Sequence, residues 1–297
     1  MQKLIEMPDD FSKSLIERFG REAESWLEDI PNILSKKLDD WGLELKSSNP
    51  LHGAMGLVFF VSRGGEDLVL KISWFDNLTK SENAALKIWD GDGAVRLLDY
   101  DSSTHSSLME RLSSESLEDI NIKQAGIEAG RLIKKLGVKS GYDFPKLAER
   151  LNDIDSSFAQ CSLDLNGSDF DWEFINKLIS RRRKGVDNLL SHGDIGYLNI
   201  LKSKSGEWKA IDPKPMLGDL EFSVPELMWS RIDELKDNEI IEHLVRIVNS
   251  GNLDRKKAIE WTIIRAVDYY FWGMDNGLTE DPPRCLRLYR TLKKEIV

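Results

Sequence analysis

The hydrophobic positions of the first 45 residues recur at helical spacing. Two such groups are visible: Phe11, Leu15, Ile16 and Phe19, followed by Ile33, Leu34, Leu38 and Trp41. Apolar residues three and four apart share one face of an α-helix, so we predict helices within residues 8–45. Pro31 and Gly42 are expected to punctuate them, because both residues interrupt regular helices.

The pattern becomes β-rich after residue 49. The runs LVFFVS (57–62) and LVLKIS (68–73) flank RGGED (63–67), whose glycine pair is typical of a hairpin turn. In TKSENAALKIWD (79–90), Thr79 and Glu82 have the spacing of a capping box, which predicts a helix. Two further strands are predicted over 93–101 and 107–113.

From about residue 115 the pattern predicts mostly helices. They are expected over 116–137, 143–160, 171–190, 224–249, 255–275 and 282–296, with a β-like block of 199–203 and 207–212 around a turn at 204–206. The predicted fold class is α+β, with a small β-rich N-terminal lobe and a larger helical C-terminal lobe. The first lobe spans 1–110, including the leading helices of 8–45, and the second spans 111–297.

Composition and charge exclude several kinds of protein. The chain has 297 residues, 41% of them hydrophobic, and a net charge of −10, which argues against a nucleic-acid partner. It has no apolar run long enough to cross a membrane and no apolar signal core at its N-terminus, so we predict a cytoplasmic protein without membrane contact. Two cysteines, Cys161 and Cys285, are too few for a disulfide framework and are expected to pack as small hydrophobes. The four histidines lack zinc-site spacing, and the basic run RRRK (181–184) is expected to be a solvated helix end.

The polar block HGDIGYLN (192–199) between apolar runs is the first candidate for chemistry. Phosphoryl transfer needs a carboxylate that orients the attacking hydroxyl and oxygen ligands for Mg²⁺. Asp194 could supply the first, while Asn199 and Asp212 could supply the second across the predicted hairpin. Alternatively, Asp194 and Asn199 only cap local backbone. His192 is expected to pack and hydrogen-bond the loop rather than transfer protons.

Lys71 is the second candidate, since it lies within the strand LVLKIS. It could be an ordinary surface lysine with a buried stem, or a lysine that binds nucleotide phosphates. Glu82 on the following helix is its natural anionic partner, although Glu82 could serve the capping box alone. Gly53 and Gly56 precede the hairpin, and their backbone could approach phosphates.

The order of these features resembles that of the aminoglycoside phosphotransferase family. ALKIWDGDGAVRLLDYDSSTHSSLMERL (85–112) and WKAIDPKPMLGDLEF (208–222) are similar to segments of its streptomycin 6-phosphotransferase branch, which is grouped as aminoglycoside/hydroxyurea resistance kinases. The resemblance covers most of the chain from about residue 40. Two positions depart from the family pattern: Gly196 replaces a common histidine, and Ser223 stands where an aspartate is usual.

The resemblance implies a protein-kinase-like bilobal fold and an ATP- and Mg²⁺-dependent O-phosphotransferase. By position, Asp194 would be the catalytic base and Asn199 and Asp212 the Mg²⁺ ligands. Lys71 would contact the α- and β-phosphates with Glu82 as its partner. The backbone between Glu110 and Leu112 would hydrogen-bond the purine base.

The expected acceptor is a small hydroxylated molecule, an aminoglycoside such as streptomycin, in an antibiotic resistance reaction. Carboxylates and tryptophan faces suit a cationic acceptor, and the candidate contacts are Asp219, Glu221, Trp229, Asp268, Trp272 and Asp275. Core packing is the alternative explanation for the two tryptophans. Two other functions stay open: a kinase of a metabolite or of hydroxyurea without a resistance role, and a non-catalytic nucleotide-binding pseudokinase. We expect a monomer or a homodimer.

Overall fold

The structure is a computed structural model that describes residues 5–75, 77–164, 169–183 and 188–296, with the side chains of 77–80 and 160–164 left out. The chain divides into two compact units. The first comprises residues 1–91 and 95–112, and the second comprises 92–94 and 113–297. Within the described ranges, none of the helices is both long and apolar enough to cross a membrane.

The first unit begins with two helices, α1 (Asp9–Phe19) and α2 (Arg21–Trp41). They are separated at Gly20, whose φ of +62° suits a glycine. Gly42 ends α2 in the left-handed conformation, as predicted. The prediction for Pro31 was wrong, because this residue lies inside α2. Ile30 and Leu34 on either side of it are fully buried, and their burial favours continuation of the helix despite the lost hydrogen bond.

An antiparallel sheet forms the rest of the first unit. Its strands are β1 (Glu44–Leu45), β2 (Leu51–His52), β3 (Gly56–Arg63), β4 (Glu66–Ser73), β5 (Leu97–Asp101) and β6 (Ser106–Glu110), in the order β1-β3-β4-β6-β5 with β2 beside β3. The turn between β3 and β4 is shorter than the predicted five residues. Only Gly64 and Gly65 form it, both at positive φ, which is the geometry of a tight hairpin that glycine pairs favour.

Helix α3 (Asn77–Trp89) lies between β4 and β5 and begins earlier than predicted. Thr79 is therefore inside its first turn rather than before the helix, and the capping box prediction was wrong. The side chain of Thr79 lies outside the described residues. Glu82, the other member of that predicted motif, is buried.

The second unit is mainly helical. Its helices are α4 (Ile122–Leu136), α5 (Leu147–Asp164), α6 (Trp172–Arg183), α7 (Val224–Trp229), α8 (Asp237–Gly251), α9 (Arg255–Asp275) and α10 (Asp281–Lys293). Four short strands form two antiparallel pairs: β7 (Leu189–Ser191) with β10 (Met216–Gly218), and β8 (Ile200–Lys202) with β9 (Trp208–Ala210).

Several predicted helices differ in their bounds from the structure, and the one predicted over 116–137 begins only at Ile122. The helix predicted over 171–190 ends at Arg183, and its last residues form β7, because a strand of three residues leaves too short a pattern to recognise. The helix predicted over 224–249 divides into α7 and α8. Arg231 lies between the two, where its guanidinium donates hydrogen bonds to the carbonyls of Leu117 and Ile120.

Helices α4 and α8 approach each other at glycines. A Cβ on Gly130 would lie 2.3 Å from the carbonyl oxygen of Ile247, and a Cβ on Gly251 would lie 2.6 Å from the carbonyl oxygen of Gly130. Gly126, one turn before Gly130, leaves room for the imidazole of His243. The absence of side chains at these positions lets the two backbones pack closely.

Candidate active site

The HGDIGYLN loop is held against residues 211–215 in the second unit. The amide of Lys214 donates to the carbonyl of His192 at 2.9 Å, and the amide of Ile211 donates to the carbonyl of Asn199 at 2.9 Å. Gly193 has a φ of +76°, and a Cβ there would lie 2.0 Å from the Lys214 carbonyl oxygen. Glycine is therefore required at this point of contact, which fixes the residue before Asp194.

Asp194 pairs with a lysine that the sequence analysis did not single out. Its Oδ2 lies 2.6 Å from the Nζ of Lys214, and its side chain is 23% exposed. Burial lowers the pKa of the Lys214 ammonium. The nearby carboxylates of Asp194, Asp212 and Glu226 together have a larger opposite effect, so this pKa is raised overall. The ammonium stabilises the negative charge of Asp194, as a base that accepts a hydroxyl proton requires.

Asn199 and Asp212 lie at the same end of the β8–β9 hairpin. Ile200 pairs with Ala210, so the residue before β8 and the segment after β9 are neighbours. The side-chain nitrogen Nδ2 of Asn199 donates to the backbone carbonyl of Asp194 at 3.0 Å. The side-chain oxygen of Asn199 is therefore the atom that could bind a metal. Asp212 is exposed and has a φ of +55°, a conformation uncommon outside glycine and concentrated at functional sites.

This donor set fits Mg²⁺. One amide oxygen and one carboxylate are hard ligands, and Mg²⁺ is commonly held by one or two protein groups together with substrate phosphates. Over the described stretches of the chain, no group of three or more His, Cys, Asp or Glu side chains could hold a metal ion. The oxygens of Asn199 and Asp212 are therefore the candidates for a site completed by a nucleotide.

His192 is buried and its Nε2 lies 3.0 Å from the carbonyl oxygen of Ile211. Burial lowers its pKa to about 4, although the neighbouring carboxylates oppose this effect. A neutral imidazole can donate its Nε2 proton to that carbonyl and so connect the loop to the segment that carries Asp212. This geometry agrees with the expectation that His192 holds the loop.

Glu226, from α7, is a second carboxyl beside Asp194 that the sequence analysis also missed. The two side chains are within hydrogen-bonding distance. A Cβ on Gly196 would lie 2.5 Å from Oε1 of Glu226, so Glu226 occupies the space that a side chain at position 196 would fill. Burial and then the charge of Asp194 raise the pKa of Glu226 to about 7. No sequence motif predicts a role for Glu226, because only the packing of α7 places this residue beside the loop.

One face of α9 continues the site with charged groups. Arg265 and Asp268 lie three residues apart on this face, and Arg265 is half-buried over the ring of Phe222, with its Nε unpaired among the described residues. Asp268 lies 2.8 Å from the guanidinium of Arg150. Burial raises the pKa of Asp268 overall, against the opposing effect of these two arginines.

Aromatic rings extend the same face of α9. Trp229 stacks on Tyr269 with their centroids 4.9 Å apart, and Tyr269 stacks on Trp272 at 5.3 Å. Trp229 is buried, as the core-packing alternative anticipated, whereas Trp272 is 52% exposed at the outer end of the stack. Asp275, another predicted substrate residue, is exposed at the end of α9.

Asp219 and Glu221 are placed in the interior instead. Asp219 is fully buried and accepts hydrogen bonds from Lys257 at 2.9 Å and from the indole of Trp261 at 2.8 Å. Glu221 is also buried and accepts from the amide of Asp254 at 2.8 Å. Both carboxylates are used within the protein, which gives them a structural explanation in place of the predicted substrate contact.

The RRRK prediction was wrong for Arg182. Its side chain is buried, and its Nε lies 2.7 Å from the carboxylate of Glu260, which is itself buried. Arg181 and Arg183 pair with Glu260 and Asp155, respectively. The run therefore includes an internal ion pair. Glu260 on α9 is buried away from water, so its charge needs a cationic partner within the protein. Lys184 lies outside the described residues.

In the first unit, the predicted ion pair between Lys71 and Glu82 is present. The Nζ of Lys71 lies 2.7 Å and 2.9 Å from the two carboxylate oxygens of Glu82. Leu68, Leu70 and Ile72 on the opposite face of β4 are fully buried, which fixes the direction of Lys71.

Gly53 follows β2, Gly56 begins β3, and Glu110 ends β6. The amide of Gly53 donates to the carbonyl of Gly56 in the turn between β2 and β3. A Cβ on Gly56 would lie 3.1 Å from the carbonyl oxygen of Ile72, so close packing explains this glycine, whereas Gly53 faces open space. The amide of Glu110 donates to the carbonyl of Arg96, and Leu112 is half-buried.

Solved structures of small-molecule kinases share this fold. The choline kinase LicA from Streptococcus pneumoniae matches with a TM-score of 0.58 and 14% identity, over 89% of this chain and 99% of that one. A mutant of the aminoglycoside phosphotransferase APH(4)-Ia, solved with ADP and hygromycin B, matches with a TM-score of 0.59 and 12% identity, over 91% and 99%. The chain thus has a protein-kinase-like fold.

The chain belongs to the family of aminoglycoside/hydroxyurea antibiotic resistance kinases, whose model matches residues 41–277. The streptomycin 6-kinase of Streptomyces glaucescens is 28% identical over 98% of both chains. The hydroxyurea phosphotransferase of Kitasatospora aureofaciens is 27% identical over 95% of this chain and 84% of that protein.

Proposed function

We propose that the chain is an ATP- and Mg²⁺-dependent O-phosphotransferase that acts on a hydroxyl of an aminoglycoside such as streptomycin. One observation carries the proposal: the Asp194 carboxylate lies beside Lys214 on a loop that ends at Asn199, next to Asp212. A base, two hard oxygen ligands and a cation thus occur within one hydrogen-bonded segment. The similarity to streptomycin 6-kinases supports the choice of acceptor.

In this reaction Asp194 accepts a hydrogen bond from the acceptor hydroxyl and orients its oxygen for in-line attack on the γ-phosphate. Asn199 and Asp212 would hold Mg²⁺, which when bound supplies positive charge to the phosphate oxygens. His192 keeps these residues in register, because its ring joins the loop to Ile211.

The nucleotide contacts are assigned to the first unit. Lys71 would bind the α- and β-phosphates, and Glu82 would hold its ammonium in place. The exposed turn at Gly53 would let backbone approach phosphate. The segment from Glu110 to Leu112 would bind the base, with the amides beyond Glu110 as donors, since the amide of Glu110 already donates to Arg96.

The acceptor contacts are assigned to the exposed part of the α9 face. Trp272 offers an open ring face to a cation, and Asp268 and Asp275 offer carboxylates. Trp229 would act through the stack by supporting Tyr269 beneath Trp272.

Hydroxyurea is the second candidate acceptor, because a hydroxyurea phosphotransferase is among the relatives. A non-catalytic pseudokinase is disfavoured, since Lys71, Asp194, Asn199 and Asp212 are all retained. A kinase of an unrelated metabolite would have the same residues and a different acceptor.

Transfer of label from radioactive ATP tests the proposal. The purified chain is incubated with Mg²⁺ and streptomycin, other aminoglycosides, hydroxyurea or neutral sugars, and products are separated chromatographically. Phosphorylated streptomycin is expected; phosphorylation of hydroxyurea alone would overturn the choice of acceptor. Mg²⁺-ATP should also raise the melting temperature, and absence of both a shift and a product would overturn the kinase reaction itself.

A further inference from the structure

Glu226 and Asp194 form a pair of carboxyl groups within hydrogen-bonding distance of each other. They come from different elements: Asp194 belongs to the HGDIGYLN loop, and Glu226 lies in the middle of α7. Neither is completely buried, so the pair borders solvent that an acceptor could replace. The reaction described above gives Glu226 no task.

Two carboxylates this close cannot both be charged without a large repulsion, so one of them retains a proton. The Lys214 ammonium contacts Asp194 at 2.6 Å and thereby favours the charge on Asp194. The proton is then on Glu226, in agreement with its pKa near 7, which burial raises first and Asp194 next. A protonated Glu226 can donate a hydrogen bond, and Asp194 accepts it.

Gly196 makes this arrangement possible. The position of its missing Cβ is 2.5 Å from Oε1 and 3.2 Å from the carboxyl carbon of Glu226. Gly196 has a φ of −105°, which other residues adopt freely, so its backbone does not require glycine. The contact with Glu226 is the structural reason for glycine at this position.

Several charged groups face Glu226 from the elements around it. They are Asp194 from the loop, Lys214 from the segment after β9, and Arg265 and the phenol of Tyr269 from α9. The two cations favour ionisation of Glu226 while Asp194 opposes it. Lys214 is already engaged by Asp194, which leaves Arg265 as the principal counter-charge when Glu226 ionises.

We propose that Glu226 is a positioning residue, which donates a hydrogen bond to Asp194 and so holds that carboxylate in the orientation that accepts the acceptor hydroxyl. The inference rests on the proposed phosphotransfer. A carboxylate held from one side by Lys214 and from the other by Glu226 has little rotational freedom, and a pre-oriented base needs no rearrangement when the acceptor arrives.

Variants of Glu226 separate donation from mere packing. In Glu226→Gln the side-chain amide still donates to Asp194, so kcat should stay within roughly threefold of wild type. In Glu226→Ala no donor remains, and kcat should fall by about 10- to 100-fold, with the KM for ATP unchanged. Glu242→Ala, which removes an exposed carboxylate from α8, is the matched control and should behave as wild type.

Gly196→Ala provides an independent route to the same effect, because its methyl displaces Glu226 without removing it. It should lower kcat to a similar extent as Glu226→Ala, and the double variant should be no worse than either single variant. Circular dichroism melting of each variant shows whether it folds. Equal kcat in Glu226→Ala and wild type, or equal losses in Glu226→Gln and Glu226→Ala, would overturn the proposal.

Carbon-13 NMR of the side-chain carboxyls tests the pair without any transfer. Glu226 should titrate near pH 7 in wild type and at lower pH in Asp194→Asn, which lacks the neighbouring negative charge. Titration of Glu226 at the ordinary value for glutamate would refute the pair even in an active enzyme. Conversely, a chain that phosphorylates no acceptor but shows the coupled titration would refute the proposed function and leave the Glu226–Asp194 hydrogen bond supported.

Discussion

The ammonium of Lys214 lies 2.6 Å from the carboxylate of Asp194, although twenty positions separate them in the chain. Both side chains come from segments that are hydrogen-bonded to each other through the backbones of His192 and Lys214. The ion pair is therefore a product of the local fold, and it gives the proposed base a fixed partner.

Replacing Asp194 with Asn should abolish catalysis without affecting nucleotide binding. The amide cannot take up the hydroxyl proton, so kcat should fall by about 10²- to 10⁴-fold. Binding of Mg²⁺ with a non-hydrolysable ATP analogue, measured by calorimetry, should change by less than roughly threefold. Asp39→Asn, at an exposed position of α2, is the control. Retained turnover in Asp194→Asn would assign the base to another residue.

Substitutions of Lys71 and Glu82 should separate the stability of the protein from its affinity for nucleotide. Lys71→Met leaves the buried Glu82 carboxylate without its cation and should reduce the free energy of unfolding by about 3 kcal/mol. Adding Glu82→Gln should restore most of the stability but not the affinity for Mg²⁺-ATP. Urea denaturation and calorimetry measure the two quantities. Recovery of affinity in the double variant would contradict a phosphate contact by Lys71.

Gly130→Ala should destabilise the second unit. The new methyl would lie 2.3 Å from the backbone oxygen of Ile247, so α4 and α8 must separate, at a cost of about 1–3 kcal/mol. Because the contact is with backbone rather than with a flexible side chain, the cost should lie at the upper end of this range and exceed the gain of about 1 kcal/mol that alanine brings to a helix. Gly141→Ala, where no atom lies within 4 Å, is the control in thermal melts. An unchanged melting temperature for Gly130→Ala would mean that the helices pack less closely.

Asp219→Asn should be far more destabilising than a surface substitution of the same kind. It would remove the buried negative charge that Lys257 and Arg182 both contact, which costs roughly 3–5 kcal/mol. Asp169→Asn, which breaks a solvent-exposed pair with Arg290, should cost less than about 1 kcal/mol. Equal losses in the two variants, measured by urea denaturation, would argue that Asp219 is accessible to water.

Stability should decrease as the pH falls from 6.5 towards 4. Burial lowers the pKa values of His192 and His243 to about 4, below the ordinary value of 6.5, so the unfolded chain binds protons that the folded chain refuses. The contribution of each neutral imidazole is complete above pH 6.5 and is lost through this window. Urea titrations between pH 7 and pH 5 measure how the free energy of unfolding depends on pH. In His243→Gln the slope should be smaller than in wild type, by the equivalent of about one bound proton at most.

The sequence pattern predicted α9 well because its helical period extends over 21 residues, and it predicted the β8–β9 hairpin because a turn at 204–206 joins two β-like runs that are adjacent in the chain. Strands β7 and β10 were missed, since three residues carry almost no periodicity and their pairing joins distant parts of the chain. The lysine–glutamate pair could be anticipated because β4 and α3 are adjacent in sequence.

The missed site residues depend on tertiary packing. Glu226 meets Asp194 only because α7 packs over Gly196, and nothing in the sequence around either residue signals this contact. Asp219 illustrates the reverse error: a carboxylate in a family-like motif was interpreted by its charge, whereas burial beside Lys257 and Trp261 decides its role. Charge can be read along a chain, but solvent exposure follows from the complete fold.

The two strand pairs on either side of the loop also bear on how the site moves. The β7–β10 pair closes one end and the β8–β9 pair closes the other, with the Lys214–His192 and Ile211–Asn199 hydrogen bonds between them. A segment closed at both ends opens as a whole, so the amides of Lys214 and Ile211 should exchange their hydrogens with deuterium at similar rates. The proposed base, Asp194, and the proposed metal ligands, Asn199 and Asp212, would then gain or lose their order in a single cooperative event.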